Sequence, residues 1–323
     1  MCIWRESRLC GAYRRGGPEL AALLAGFVAL CACLPPAGAQ PLEPIRQPQF
    51  RADTNLILVP VTVTDGRGSN IEGLSVDSFS VLDNRHPQPI AAFYSEDAPS
   101  SIGIVLDLSG STKTILDQEK AALRAFLEFS NPEDDFFLLA VSSQPRMLAN
   151  RVNDPREIED LVRWEKAGGG TALCDTVYYA LQQARLRPKS RRALLVVSDG
   201  MDNHSQYSSK DLMRAVLEGD TQIYTIALNT PPAEMKGTAL TEYQRGLMLM
   251  DDLAEKSGGL SVHLRGYEAP SAAAARISAA IRNQYVIGYH SPDGARSEPW
   301  HRIQVKVNLQ KASVYSRGGY RLR

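Results

Sequence analysis

Cysteine, histidine and net charge are all scarce in this chain of 323 residues, and each shortage excludes something. There are five cysteines and five histidines, and 36 basic residues face 36 acidic ones. Cys2, Cys10, Cys31 and Cys33 crowd into the first forty residues, so Cys174 stands alone in the remainder. One thiol makes no internal bridge, which excludes a disulfide-stapled fold for that remainder. The balanced charge excludes a general nucleic-acid binder, which carries a basic excess for its phosphate contacts. Beyond residue 40 no apolar run reaches the ~18–20 residues of a membrane helix, which excludes a polytopic membrane protein. What is present is ordinary globular material. Hydrophobic residues make up 44% and charged residues 22%, enough to bury a core and too apolar for wholesale disorder.

Arg5, Arg8, Arg14 and Arg15 precede an apolar stretch from Leu20 to Leu34, which is followed by Ala37-Gly38-Ala39. A basic segment, an apolar segment and a small-x-small site, in that order, make a secretory signal peptide. Residues 1–39 are read as that leader, cleaved after Ala39, and the rest as exported to the periplasm or the cell exterior. Two alternatives would keep the chain at a membrane. One is an uncleaved N-terminal anchor. The other is lipoprotein-type processing at Leu30-Cys31-Ala32-Cys33, leaving Cys33 lipidated. Cleavage after Ala39 leaves 32 basic and 34 acidic residues, a net charge of −2. Cys174, set between Leu173 and Val177 on an amphipathic stretch, reads as a buried small apolar group and not as a nucleophile.

Hydrophobic patterning divides the remainder into four parts. Residues 40–49 (QPLEPIRQPQ) are proline-rich and read as an extended linker. Residues 50–98 read as a β-rich flank of short strands, from Asn55 to Thr64, from Phe79 to Asn84 and from Ile90 to Tyr94. Residues 99–284 alternate strands and helices. The strands run from Ser101 to Leu108, Phe136 to Val141, Met147 to Val152, Ala193 to Val197, Ile223 to Leu228 and Leu260 to Leu264. The helices run from Thr114 to Phe129, Asp154 to Glu165, Ala172 to Leu186, Ser209 to Glu218, Leu247 to Lys256 and Ala272 to Arg282. Strands separated by helices imply right-handed crossovers and an α/β fold with a doubly wound, mostly parallel sheet. Residues 285–323 return to β, with strands from Gln284 to Tyr289 and Ile303 to Val307. Two strands are not stable alone, so this C-terminal flank is expected to pack with residues 50–98 as one small β-rich accessory unit.

In an open α/β sheet, ligands bind beyond the carboxyl ends of the strands. The first core strand ends in Asp107-Leu108-Ser109-Gly110-Ser111, and a later one in Ser198-Asp199-Gly200. Between them Gly168-Gly169-Gly170-Thr171 leads into a helix. Asp107, Ser109, Ser111, Thr171 and Asp199 therefore lie on loops that one sheet edge can gather. Two carboxylates and three hydroxyls are hard oxygen donors. They suit Mg²⁺, Mn²⁺ or Ca²⁺ and disfavour zinc. Each piece alone has a plainer explanation: Asp107, Ser111 and Thr171 as helix caps, Asp199-Gly200 as a turn. Those explanations do not account for their coincidence.

These three pieces, in this order, resemble the metal-ion-dependent adhesion site of von Willebrand factor type A domains, and the likeness spans residues ~100–284. The whole exported chain also resembles the acidobacterial exported proteins related to von Willebrand factor A. That second likeness rests on Val61-Thr62-Val63-Thr64-Asp65, Gly73-Leu74 with Asp77-x-Phe79, Asp97-Ala98-Pro99, Tyr285-Val286-Ile287-Gly288-Tyr289 and Gly319-Tyr320. The resemblance implies a Rossmann-like α/β domain without enzymatic activity. It implies a divalent ion held by Ser109, Ser111 and Thr171 through hydroxyls and by Asp107 and Asp199 directly or through water. It also implies a partner protein whose acidic residue fills the open coordination position. Ser198 replaces the threonine commoner in that family, at a position that is not itself a primary ligand.

Other constellations are weaker. A Ser109–His204–Asp hydrolase can be drawn, but Ser109 has no nucleophile elbow around it. No lysine follows Thr171 in the manner of a phosphate-binding loop. Asp134-Asp135 and Asp251-Asp252 read as solvated ends, Lys189–Arg192 as a basic turn, and Tyr178-Tyr179 as packing. The expected function is an exported, metal-dependent protein-binding module of the adhesion type. The alternatives are an envelope scaffold whose metal site is vestigial or only stabilising, and a serine hydrolase using Ser109. No nucleic-acid partner is expected, and a membrane only through a signal or lipid anchor.

Overall fold

The computed structural model describes residues 56–95, 97–189, 191–228, 235–264, 269–291 and 300–321. The leader at 1–39, its lipid-anchor alternative and the linker at 40–49 lie outside the described residues. No helix among the described residues is long and apolar enough to cross a membrane.

The chain opens with β1 (Leu56–Thr64), β2 (Phe79–Asp83), β3 (His86–Gln88) and β4 (Ala92–Ser95). The α/β region follows: β5 (Ser100–Asp107), α1 (Leu116–Glu128), β6 (Asp135–Val141), β7 (Arg146–Val152), α2 (Pro155–Arg163), α3 (Leu173–Arg185), β8 (Arg191–Ser198), α4 (Ser209–Leu217), β9 (Gln222–Leu228), α5 (Gly237–Ser257), β10 (Ser261–Leu264) and α6 (Pro270–Arg282). It closes with β11 (Tyr285–His290), β12 (His301–Val307), β13 (Ser313–Ser316) and β14 (Gly319–Tyr320).

The central sheet has the order β10-β9-β8-β5-β6-β7. It is parallel except for the edge strand β7, which runs against β6. Alternate residues of its strands feed two cores. Ile102, Ile104 and Leu106 of β5 pack in one layer with Leu123 and Phe126 of α1, Ile158 of α2 and Ile277 of α6. Val105 of β5, with Phe137 and Leu139 of β6, packs on the other face with Val177 and Leu181 of α3, Leu212 of α4 and Leu253 of α5. The fold is a doubly wound α/β sheet covered on both faces. The chain leaves β5 toward β6 and β7, then crosses back to β8 on β5's other side. The carboxyl ends of β5 and β8 thus flank the switch point of the sheet, where a crevice opens.

The two flanks form the accessory unit. One sheet has the order β13-β1-β11-β4 and the other β14-β12-β2-β3, so each mixes strands from both chain ends. Val59, Val61 and Val63 of β1 meet Phe79 and Val81 of β2, Tyr285, Ile287 and Tyr289 of β11, and Ile303 and Val305 of β12 in one core. Asp83 lies buried inside this core and accepts hydrogen bonds from Tyr289 Oη (2.9 Å), Tyr320 Oη (2.8 Å) and His301 Nδ1 (2.8 Å). A buried carboxylate holds its place only when it is satisfied in this way. β3, β13 and β14 go beyond the strands expected from sequence. β3 carries Pro87 and sits at a sheet edge, the position that tolerates a missing N–H.

Two expectations are corrected. Asp134 and Asp135 are buried and not solvated. Asp134 accepts from Ser100 N (2.7 Å) and Asn131 N (3.0 Å), and Asp135 accepts from Ser101 Oγ (3.1 Å) and pairs with Lys189 Nζ (3.3 Å). Both therefore brace the start of β5. The helix read from Leu247 begins ten residues earlier, at Gly237. Gly246 looks like a break but lies inside α5, because the backbone of Gly200 passes directly against it. A Cβ at Gly246 would stand 2.3 Å from Gly200 O.

That contact decides the sign of a substitution. Helix propensity alone would make Gly246→Ala stabilising by about 1 kcal/mol. The backbone overlap opposes it with the ~1–3 kcal/mol cost of overpacking. Gly246→Ala is expected to lower the urea midpoint at unchanged m-value; a raised midpoint would show that the helix does not approach Gly200 so closely.

Candidate metal centre

β5 delivers Asp107 to the carboxyl edge with its side chain fully buried. Its Oδ1 accepts the Ser109 N–H at 3.0 Å, curling the loop back over the strand end, and its Oδ2 accepts the Ser198 hydroxyl at 2.5 Å. The Ser109 and Ser111 hydroxyls lie 3.0 Å apart. Thr112 Oγ1 donates to the carbonyls of Asp107 (3.2 Å) and Ser109 (3.1 Å) and fastens the loop from inside. At the end of β8, Asp199 accepts the Met201 N–H at 2.9 Å, and the Ser111 hydroxyl acts on its carboxyl, lowering its pKa. Asp107, Ser109 and Ser111 are thereby joined by hydrogen bonds, with Asp199 under the influence of Ser111.

The glycine loop carrying Thr171 is tied to the same edge. Gly110 N donates to Gly169 O (3.0 Å) and Gly168 N to Leu108 O (2.8 Å), which stitches it to the Asp107 loop. Thr171 N donates to Asn203 Oδ1 (2.8 Å), and Thr171 O accepts from the N–H groups of Asn203 and His204 (2.9 Å each), which stitches it to the Asp199 loop. Three loops distant in sequence so become one rim. Asp107, Ser109, Thr171 and Asp199 are buried, while Ser111 and Gly169 are exposed at the mouth.

Capping explains none of the five side chains. Ser109 stands at the N-cap of the short 3-10 turn Gly110–Thr114 without a side-chain cap bond. Ile115 precedes α1, and Ala172 precedes α3. The hydrolase arrangement is likewise not assembled. Ser109 Oγ is engaged with Ser111, His204 Nδ1 with Asn203 Oδ1 (2.9 Å), and no hydrogen bond joins Ser109 to His204 among the described residues. Cys174 is buried, and burial followed by the charge of Asp202 raises its thiol pKa, the reverse of an activated nucleophile.

Electrostatics set the character of the rim. Burial, and then the charge of Asp199, pushes the Asp107 carboxyl up to about 6 against the lowering bonds from Ser198 and Ser109. Burial also raises Asp199. Glu119, on the first turn of α1, was not singled out in the sequence. It is 0% exposed, and neither carboxyl oxygen has a hydrogen-bond partner. Burial, then the charges of Asp107 and Asp199, raises its pKa well above the ordinary value. Its signal was available: it is an acid on the apolar stripe that continues through Leu123 and Phe126. Among the described residues no lysine or arginine forms an ion pair with any of these three acids.

The donor set suits a small hard cation. Asp107, Ser109, Ser111, Thr171 and Asp199 offer oxygen only, and the orphaned Glu119 carboxyl behind them is a further group in want of positive charge. Among the described residues no three His, Cys, Asp or Glu side chains converge to hold an ion. A site here would therefore use two carboxylates with hydroxyls, and Glu119 would act on it across a distance.

Comparison with known proteins bears on the fold. Residues 102–201 match the family model described as von Willebrand factor type A domain. None of the curated proteins matches. Among solved structures, the conserved hypothetical protein BatB from Bacteroides thetaiotaomicron is 16% identical, covering 56% of this chain and 98% of that one at a TM-score of 0.44. A von Willebrand factor type A protein from Catenulispora acidiphila is 13% identical, covering 85% and 65% at 0.47. The PilB minor pilin from Streptococcus sanguinis is 12% identical, covering 61% and 64% at 0.43.

The raised Asp107 pKa has a consequence for stability. The folded chain keeps this proton up to about pH 6, whereas the unfolded chain loses it near 3.8. Across that window the folded state binds more protons, so stability falls as pH rises and the loss is complete above about 6. The size is on the order of 3 kcal/mol. In EDTA, the stability difference between wild type and Asp107→Asn is expected to shift against wild type by that order from pH 4 to pH 7. A pH-independent difference would contradict the burial and repulsion described.

Proposed function

From the premise that this chain carries a von Willebrand factor type A domain, we propose that it is an exported, metal-dependent protein-binding module. The observation that carries the reading is the rim at the switch point of the sheet. There, buried acids without a counter-charge are joined to hydroxyls on three interlocked loops. Ser109, Ser111 and Thr171 would offer hydroxyl oxygens to the ion, and Asp107 and Asp199 carboxylate oxygens, directly or through water. When bound, a divalent ion supplies an electrophilic point at the surface that attracts an external carboxylate. The chain's own part is to hold the donors in place. Ser198 fixes one oxygen of Asp107, the Ser109 N–H fixes the other, and Thr112 locks the loop between them. Fixed outer contacts of this kind keep the donors in register for an ion.

The exposure of Ser111 and Gly169 favours a site open to a partner over an envelope scaffold with a sealed, stabilising ion. The partner is a protein that presents an acidic side chain. Binding and not catalysis is the role that fits, since the rim holds no base poised on a nucleophile. Export rests on the leader-like residues 1–39, with Cys33 lipidation as the anchored variant. Mg²⁺ is the first candidate ion, with Mn²⁺ and Ca²⁺ as alternatives.

Calorimetric titration of the full chain with Mn²⁺ is expected to give one site, lost in Asp107→Ala. At a hundredfold excess over Kd the ion adds about 2.7 kcal/mol to stability. Wild-type protein that takes up no Mg²⁺, Mn²⁺ or Ca²⁺ at millimolar concentration would remove the ion from the account and leave the scaffold reading.

A further inference from the structure

At the opposite end of the central sheet, where β8 and β9 begin, a cavity of about 520 Å³ separates the α/β layers from the accessory β unit. Its walls are largely apolar. Leu56, Leu58 and Pro60 of β1, Val286 of β11 and Val216 and Leu217 of α4 line it. Two arginines line it as well, Arg191 at the start of β8 and Arg317 just after β13.

These two arginines differ from the basic residues around them. Arg192 pairs with Asp220 (2.9 Å), Lys256 with Glu255 (3.0 Å), Arg282 with Asp97 (2.7 Å) and Lys189 with Asp135 (3.3 Å). Among the described residues, no carboxylate lies within ion-pair distance of Arg191 or Arg317. Arg317 has one donor on the Leu58 carbonyl (3.0 Å) and its Cζ lies 5.9 Å from the Tyr320 ring centroid, while its Nε, like that of Arg192, has no hydrogen-bond partner. Arg191 has one donor on the Ala98 carbonyl (3.3 Å). Burial lowers the pKa of both, against the more distant charges of Asp97 and Asp134 on Arg191 and of Asp220 on Arg317. Asp220 also lines the cavity, but Arg192 already engages it.

Buried charges in folded proteins are paired, because an uncompensated one carries its full desolvation cost. Here two half-buried guanidinium residues without an ion pair line a space large enough for a small molecule. A guanidinium fork matches the two oxygens of a carboxylate, and the remaining walls match hydrocarbon. We propose that this cavity binds a small apolar carboxylic acid, its carboxylate on Arg317 and Arg191 and its hydrocarbon body along β1, β11 and α4. This site is separate from the metal rim, and its occupancy does not depend on an ion there.

Titration calorimetry on the full chain in EDTA tests it with decanoate, octanoate, decanol and inorganic phosphate. Decanoate is expected to bind at least tenfold more tightly than decanol, and octanoate more weakly than decanoate by about fourfold per methylene removed. Arg317→Met is expected to cut decanoate affinity at least tenfold while leaving decanol unchanged. Leu58→Glu, at a partly exposed wall position, would place a carboxylate beside Arg317 from within the chain and abolish decanoate binding even if Arg317→Met fails to fold. Absence of decanoate binding to wild type, equal affinity for decanoate and decanol, or phosphate binding with no dependence on chain length would each overturn the assignment.

Discussion

Everything at the carboxyl edge of this sheet follows from one constraint: Asp107 and Asp199 are withdrawn from water on neighbouring strand ends and Glu119 on α1, with no ion pair to any of them among the described residues. Asp107 and Glu119 are fully buried, and Asp199 is 4% exposed. A chain that sought only stability would replace such acids with apolar groups of similar size, since buried charge is costly even when paired. These acids are held in place instead. Ser198 and two backbone N–H groups grip Asp107 and Asp199, while Glu119 stands in the α1 stripe with both oxygens idle. Burial accordingly raises the pKa of all three, and in the proposed function a cation from outside the chain takes the place of those protons.

The fold explains why the acids meet. β5 and β8 are neighbours in the sheet, yet 91 residues separate Asp107 from Ser198, and the excursion through β6, β7, α2 and α3 lies between them. Paired strand ends need no long side chains to bridge the gap, so short Asp and Ser suffice. The glycine loop supplies the third wall because its backbone bonds to both others. The close passage of Gly200 and Gly246 then sets where the Asp199 loop sits against α5. Packing far from the rim thus fixes the geometry of the rim.

The α/β architecture and the flanking β-rich unit were legible in the chain, because buried parallel strands read as unbroken apolar runs and their helices as amphipathic stripes. The short edge strands His86–Gln88, Ser313–Ser316 and Gly319–Tyr320 were not, since they carry little pattern and are defined by their neighbours. The first half of α5 was missed because a glycine argues against helix unless one sees the backbone that needs it. Asp134 and Asp135 were misjudged because burial of a polar residue depends on partners, here Ser100, Ser101 and Lys189, that periodicity does not reveal. At the rim, the five candidate donors stood out by spacing at strand ends; the structure joins Asp107, Ser109 and Ser111 by hydrogen bonds and ties the loops of Thr171 and Asp199 to theirs. Glu119 could have been suspected as an acid on the apolar stripe of its helix, but nothing in the sequence tied it to Asp107 and Asp199.

The most direct test is to count the protons displaced when Mn²⁺ is added at pH 6, using calorimetry in buffers of different ionisation enthalpy. If the buried acids hold protons for want of a cation, ion binding must expel them, and the observed heat will change with the buffer. The same titration on Asp107→Asn will expel fewer. Mn²⁺ binding with heat independent of the buffer, or identical proton counts in the two proteins, would contradict the claim that uncompensated acids define this site.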